Sequence, residues 1–154
     1  MGTMNCIRRA TESDVSRIAE IIVFNNRVNY FPIFKDERFS FGTLQVLSLA
    51  REYLDDADRL GHTWVWDDGV VKGMTTVNGG EIEKLYVEPA FQGRGIGARL
   101  LEHAVSSLGA RRLWALEKNA GALRFYERHG FARTGERKFE EGTPEYLVRL
   151  KYQE

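Results

Sequence analysis

The most restrictive stretch of this chain is Leu85-Tyr86-Val87-Glu88-Pro89-Ala90-Phe91-Gln92-Gly93-Arg94-Gly95-Ile96-Gly97-Ala98-Arg99-Leu100-Leu101. Leu85-Tyr86-Val87 reads as the end of a buried strand and Glu88-Pro89-Ala90-Phe91 as a short turn. Ile96, Leu100, Leu101, Ala104, Val105 and Leu108 then recur at the spacing of an amphipathic helix. Between strand and helix stand Gly93, Gly95 and Gly97. Glycine inside a helical turn costs about 1 kcal/mol relative to alanine, so three at one helix start require a reason. An anion cradle supplies one. Residues without a Cβ reach backbone conformations closed to others and let a ligand approach closely, while unpaired N–H groups and the helix dipole favour phosphate.

Spacing separates the patterns that build such cradles. A Walker loop needs Gly-Lys-Ser/Thr, and Gly97 is followed by Ala98-Arg99. A dinucleotide fingerprint is formally satisfied by Gly93-Arg94-Gly95-Ile96-Gly97-Ala98, with Glu117 about twenty residues downstream. Its context is wrong, because Glu88-Pro89-Ala90-Phe91 intervene after the strand and hairpin-like sequence precedes it. The third pattern, Gln-x-x-Gly-x-Gly, is matched by Gln92, Gly95 and Gly97.

The flanking sequence reads as alternating elements. Cys6-Ile7-Arg8 is a short first strand, with Cys6 a small buried residue rather than a nucleophile. Thr11 to Asp14 carries a variant capping box ahead of the stripe Val15, Ile18, Ala19 and Ile22. From Phe24 to Gly42 the periodicity fails, and Phe24, Tyr30, Phe31, Phe34, Phe39 and Phe41 fall in one long connection. Most of these rings are expected to pack on the core. Helix resumes near Thr43 and runs towards Leu60, with Asp55, Asp56 and Asp58 read as a solvated helix end and attraction of a cationic amine as the alternative. His62 is expected to be a hydrogen-bonding strand-end residue rather than a catalytic base, and His103 and His129 surface or capping residues.

Trp64-Val65-Trp66 and Val70 to Val77 form a hairpin about Asp67-Asp68-Gly69, and Asn78-Gly79-Gly80 turns into a third strand, Glu81 to Val87. That strand has a parity problem. Regular alternation puts Glu81 and Glu83 on the face of Leu85 and Val87, and a charge does not sit comfortably on a buried apolar face. A β-bulge near Lys84 to Tyr86 would reset the alternation and free a backbone group for ligand. Arg111 to Glu117 reads as a strand parallel to Glu81–Val87, because a helix connects them. Asn119 is an N-cap for a helix ended by Gly130, and Phe131 to Lys138 and Tyr146 to Tyr152 are a closing antiparallel pair.

Composition excludes several classes. Lys+Arg and Asp+Glu are both 22, which leaves no global basic field for nucleic acid or acidic lipid. A single cysteine and three scattered histidines give no disulfide framework and no zinc spacing, so no metal is expected. No apolar run approaches membrane-spanning length, and the expectation is a cytoplasmic protein of one domain over residues 1–154, with monomer and homodimer both open. Met1-Gly2-Thr3, ahead of Met4, is readable as a cloning remnant.

Taken together, strand, glycine pattern and the segment Asn119 to Phe131 closely resemble the GCN5-related N-acetyltransferases, from Ile7-Arg8-Arg9-Ala10 to the C-terminal strand and most strongly from Glu81 to Phe131. The resemblance implies a mixed, mostly antiparallel α/β sheet flanked by helices and splayed between two central parallel strands. It implies acetyl-coenzyme A as co-substrate, with Gln92 and the loop amides of Gly93, Arg94, Gly95, Ile96, Gly97 and Ala98 at its pyrophosphate. Main-chain groups of Leu85, Tyr86 and Val87 would hold the thioester and pantetheine arm, and Asn119 would bond that arm. Tyr126 matches the tyrosine this family has near the coenzyme sulfur, which makes it the candidate general acid and a cofactor contact. Glu81 is the first candidate base and Glu83 the second, directly or through water, for a primary amine on a small molecule or peptide. In this family the first two helices and their connection usually shape the acceptor site, so some rings between Phe24 and Phe41 would line it. A non-catalytic acyl-coenzyme A sensor is the alternative.

Overall fold

The structure, a computed structural model, describes residues 5–154. The Met1-Gly2-Thr3 segment lies outside the described residues. Seven strands join in one sheet: β1 (Ile7–Arg9), β2 (Thr63–Asp67), β3 (Val71–Asn78), β4 (Glu81–Val87), β5 (Arg112–Leu116), β6 (Phe131–Phe139) and β7 (Tyr146–Tyr152), in the order β1-β2-β3-β4-β5-β7-β6. Every neighbouring pair is antiparallel except β4 and β5. A hairpin-fed, mostly antiparallel sheet is not the doubly wound parallel sheet that the dinucleotide pattern needs.

One face of the sheet is covered by α1 (Val15–Asn25) and α3 (Val46–Asp55), the other by α5 (Ile96–Leu108) and α6 (Ala120–Arg128). The α1 stripe goes where its period sends it: Ile18, Ala19 and Ile21 have no exposed surface and pack with Val65 and Met74. At its start Asp14 accepts from the Thr11 N–H at 2.8 Å and pairs with Arg8 at 2.8 Å, which holds its carboxyl below the usual range. Across the sheet Leu101 and Ala104 pack with Leu113, Leu123 and Phe131. Each such fully buried leucine stabilises the fold by about 1.5–3 kcal/mol. Cys6 lies just ahead of β1 and is half-buried.

The helix expected from Thr43 to Leu60 is two helices. Asp56, with φ −119° and ψ 81°, breaks α3 from α4 (Ala57–Gly61) and caps α4 by accepting from the Arg59 N–H at 3.0 Å. Asp58 accepts through its backbone carbonyl from His62, so these residues serve helix ends. The connection from Asn26 to Thr43 is also more regular than its sequence suggests. It contains two π-helical turns, Asn26–Tyr30 and Arg38–Thr43, on either side of a short helix α2 (Phe31–Phe34).

The bulge expected on β4 is present but sits earlier. Val77 pairs with Ile82 and Thr76 with Lys84, so Glu83 is the extra residue, and the ladder then runs unbroken from Lys84 to Val87. The parity is reset all the same. Ile82 and Leu85, three apart, both pack towards α5, while Tyr86 joins the α1 face with Met74. Gly73, opposite Val87, lets α5 close on the sheet, since a Cβ there would meet Leu100 at 2.9 Å and the Tyr86 carbonyl at 3.1 Å.

Candidate functional site

The parallel pair β4–β5 is joined only at Glu81↔Arg112 and Ile82↔Leu113. Beyond Ile82 the strands diverge, and the β5-facing edge of β4 is left without a strand partner. A cleft of about 1280 Å³ opens there. It is lined by β4, the glycine loop, β5, the start of α6, the π-helical turns and the β6–β7 loop.

The glycine loop begins with a short 3-10 turn, Pro89–Phe91, and reaches α5 through two residues in the left-handed region, Gly93 at φ +81° and Gly95 at φ +83°. Neither would meet a neighbour through an added Cβ, so it is the backbone conformation and open space that call for glycine. Gly97 is helical, and a Cβ there would make ordinary contact with Phe125 and Val87. The orphan N–H groups of the first α5 turn therefore lie along the cleft, beside a backbone that a phosphate can approach. The cradle fits the pyrophosphate of a coenzyme.

Of the residues named from sequence, Leu85, Tyr86, Val87, Gln92, Gly93, Gly95, Ile96, Gly97, Ala98, Asn119 and Tyr126 line this cleft, and so does Glu83. Arg94 does not; its guanidinium lies 5.2 Å over the Phe91 ring. Glu81 is not in the cleft wall either. Its carboxylate accepts from Arg149 at 2.9 Å and pairs with Arg112 at 3.3 Å, which makes it the tie between β4, β5 and β7. Glu83, at the bulge, is exposed and faces the opening.

Tyr126 projects from α6 against Phe125 and Phe131, and burial raises its pKa well above that of a free tyrosine. Its hydroxyl has no hydrogen-bond partner among the described residues. The Tyr30 hydroxyl donates to that of Tyr86 at 3.2 Å, and burial raises both pKa values. Three protonated phenols thus stand in one cleft wall. Asn119 caps α6, accepting from the Ala122 N–H at 3.2 Å.

Sequence reasoning missed Asn25. Buried at the end of α1, it donates to the Ile21 carbonyl at 2.8 Å and the Val87 carbonyl at 2.9 Å. Gln92 donates to the same Val87 carbonyl at 3.1 Å and to Asn25 at 3.4 Å. The Gln92 side chain therefore fixes the loop to β4 and α1, and the Val87 carbonyl is already satisfied by protein. The available signal was a polar residue on the stripe Ile18, Ile22, Asn25. Of the rings between Phe24 and Phe41, none joins the buried core; Tyr30, Phe34 and Phe39 line the cleft. His103 is not a surface residue but packs partly buried against Trp64 at 4.9 Å, which lowers its pKa. His129 caps α6.

A family model for an acetyltransferase (GNAT) domain matches residues 59–133. Peptidyl-lysine N-acetyltransferase YjaB of Salmonella typhimurium is 32% identical over 89 residues, which cover 57% of this chain and 61% of that protein. The match thus spans about three fifths of the length of that relative. An uncharacterized N-acetyltransferase of Mycobacterium tuberculosis is 36% identical over 107 residues, 62% of this chain and 69% of that one. The solution structure of apo YjaB from Escherichia coli superposes with a TM-score of 0.70 at 26% identity, covering 95% of both chains. The PaiA N-acetyltransferase of Thermoplasma acidophilum, solved with coenzyme A, shares the fold with a TM-score of 0.64 at 20% identity over 95% of this chain and 98% of that one.

Proposed function

The chain belongs to the GCN5-related N-acetyltransferase family, and on that premise we propose that it transfers an acetyl group from acetyl-coenzyme A to a primary amine by direct attack in a ternary complex. The observation that carries the reading is the junction of the unpaired β4 edge with the Gly93–Ala98 cradle in one cleft. Main-chain N–H groups of the loop and first α5 turn hold the pyrophosphate. Those on the free edge of β4 face the thioester carbonyl and the oxyanion that forms on it.

Attack requires a neutral amine, and collapse expels a thiolate. Tyr126 gives the proton to the leaving sulfur; its raised pKa keeps that proton in place until the charge develops. Glu83 is the base, because it lines the opening whereas Glu81 is committed to Arg149 and Arg112. A carboxylate is a weak base for an ammonium, so Glu83 works through water and on the fraction of amine already neutral. Asn25 and Gln92 keep β4 and the loop in register.

Thermal unfolding with acetyl-coenzyme A, coenzyme A, NADH and ATP in parallel tests this reading. A ligand at about one hundred times its dissociation constant adds about 2.7 kcal/mol, a rise of about 5–11 °C for a chain of this length. The rise is expected with the two coenzyme A species alone, followed by release of free thiol when an accepted amine is supplied. A rise with NADH instead would overturn the cofactor, and binding without turnover across a broad amine panel would overturn the activity.

A further inference from the structure

The cleft wall contains a cation, Lys84, with no ion-pair partner among the described residues. Lys84 follows the bulge on β4, pairs in register with Thr76, and lines the cleft beside Glu83. Glu83, Glu140 and Glu52 act on its ammonium only through space, and Arg59 adds positive potential. No carboxylate comes within ion-pair distance of Lys84 Nζ among the described residues. Arg59 itself is engaged with Asp56 at 3.4 Å and Glu52 at 3.9 Å. Half-buried, Lys84 gives up part of its hydration without gaining an ion-pair partner in return. An ammonium in the wall of an amine-binding cleft also repels the substrate unless something else compensates it.

A second unmet group lines the same cleft. Asn26 is only 9% exposed, lines the cleft, and its buried Oδ1 receives no hydrogen bond among the described residues. One donor without an acceptor and one acceptor without a donor, with the carboxylates of Glu83 and Glu140 alongside, are complementary to a zwitterion. We infer that the acceptor is an amine that also carries a carboxylate, with Lys84 Nζ as the partner of that carboxylate and the amine held towards Glu83. Acetylation of such an acceptor rests on the proposed activity; its binding does not.

Calorimetry on the full chain saturated with coenzyme A separates the two. Lysine and 1,5-diaminopentane present the same amine with and without a carboxylate. A lysine peptide flanked by glutamates, against the same peptide flanked by glutamines, distinguishes a peptide source from a free amino acid. In one pair the carboxylate-bearing member is expected to bind about tenfold or more tightly, the scale of a charged hydrogen bond. Lys84→Met should erase that preference while leaving melting and coenzyme affinity in place, and Lys84→Arg should restore part of it. Equal binding within both pairs, no binding in either, or a preference that survives Lys84→Met would each overturn the inference. So would acetylation of Lys84 itself by acetyl-coenzyme A, read by peptide mass mapping. A preference in binding without acetylation of the bound member would keep the site and remove the activity.

Discussion

On the coenzyme side of the cleft, from Gln92 to Ala98, the groups offered to ligand are main-chain amides, held by Gly93 and Gly95 in a conformation other residues adopt only under strain. The acceptor side, from Asn25 to Thr43, offers phenols, phenyl rings and amides carried on two π-helical turns. Under the proposed function the first construction would bind what every substrate pair has in common, and it depends on backbone shape. The second depends on which side chain stands at each position, so it can change acceptor without disturbing the cradle. Tyr126 belongs to neither group, since it lines the cleft from α6.

Substitutions at these places test whether the two sides act separately. The largest effect is expected from Tyr126→Phe, which should lower kcat by about a hundredfold or more while coenzyme affinity and melting temperature hold, because the hydroxyl makes no protein hydrogen bond to lose. The pH profile supplies the sign. A pKa raised by burial means that the folded protein keeps this proton where a free tyrosine, near 10, begins to lose it. In the wild type no fall in kcat assignable to Tyr126 should appear below about pH 10; a limb near neutrality that vanishes in the phenylalanine variant would assign a different state to the group.

Gly95→Val comes next. A β-branched residue at φ +83° costs about 1–2 kcal/mol, which should appear as a fall of about 5–30-fold in coenzyme affinity with acceptor KM unchanged. Equal damage to both parameters would mean that the two sides are not separable. The smallest effect is expected at Phe39→Ala. That ring is 45% exposed and lines the cleft, so stability should stay within about 0.5 kcal/mol and acceptor KM should be the parameter that moves, seen in steady-state kinetics at saturating acetyl-coenzyme A.

The same contrast explains what could be read from the chain before its structure. The cradle was legible because Gly93 and Gly95 answer a local backbone demand, and the stripes of α1 and α5 because burial follows a period of 3.6. The parity conflict between Glu83 and Leu85 correctly required a bulge. Its position was not legible, since register is set by how Val77 and Thr76 pair across the strand. The engagement of Glu81 with Arg149 was hidden because the two lie 68 residues apart, where spacing carries no information. Asn25 joins α1 to the Val87 carbonyl over 62 residues and was hidden for the same reason. The π-helical turns were missed because their pitch leaves a pattern that an α-helical template reads as loss of order.

The two rungs between β4 and β5 give the sheet a mechanical character. It is two plates, β1 to β4 and β5 to β7, riveted at one end of a shared seam and parted at the other. Load applied inside the open end has the length of the parted strands as its lever arm, and it is resisted by the rivet, by Glu81 with Arg112 and Arg149, and by the α5 and α6 packing that spans the seam. A ligand seated between the plates would press on that seam, with the β6–β7 loop on one side and the turns that follow α1 on the other.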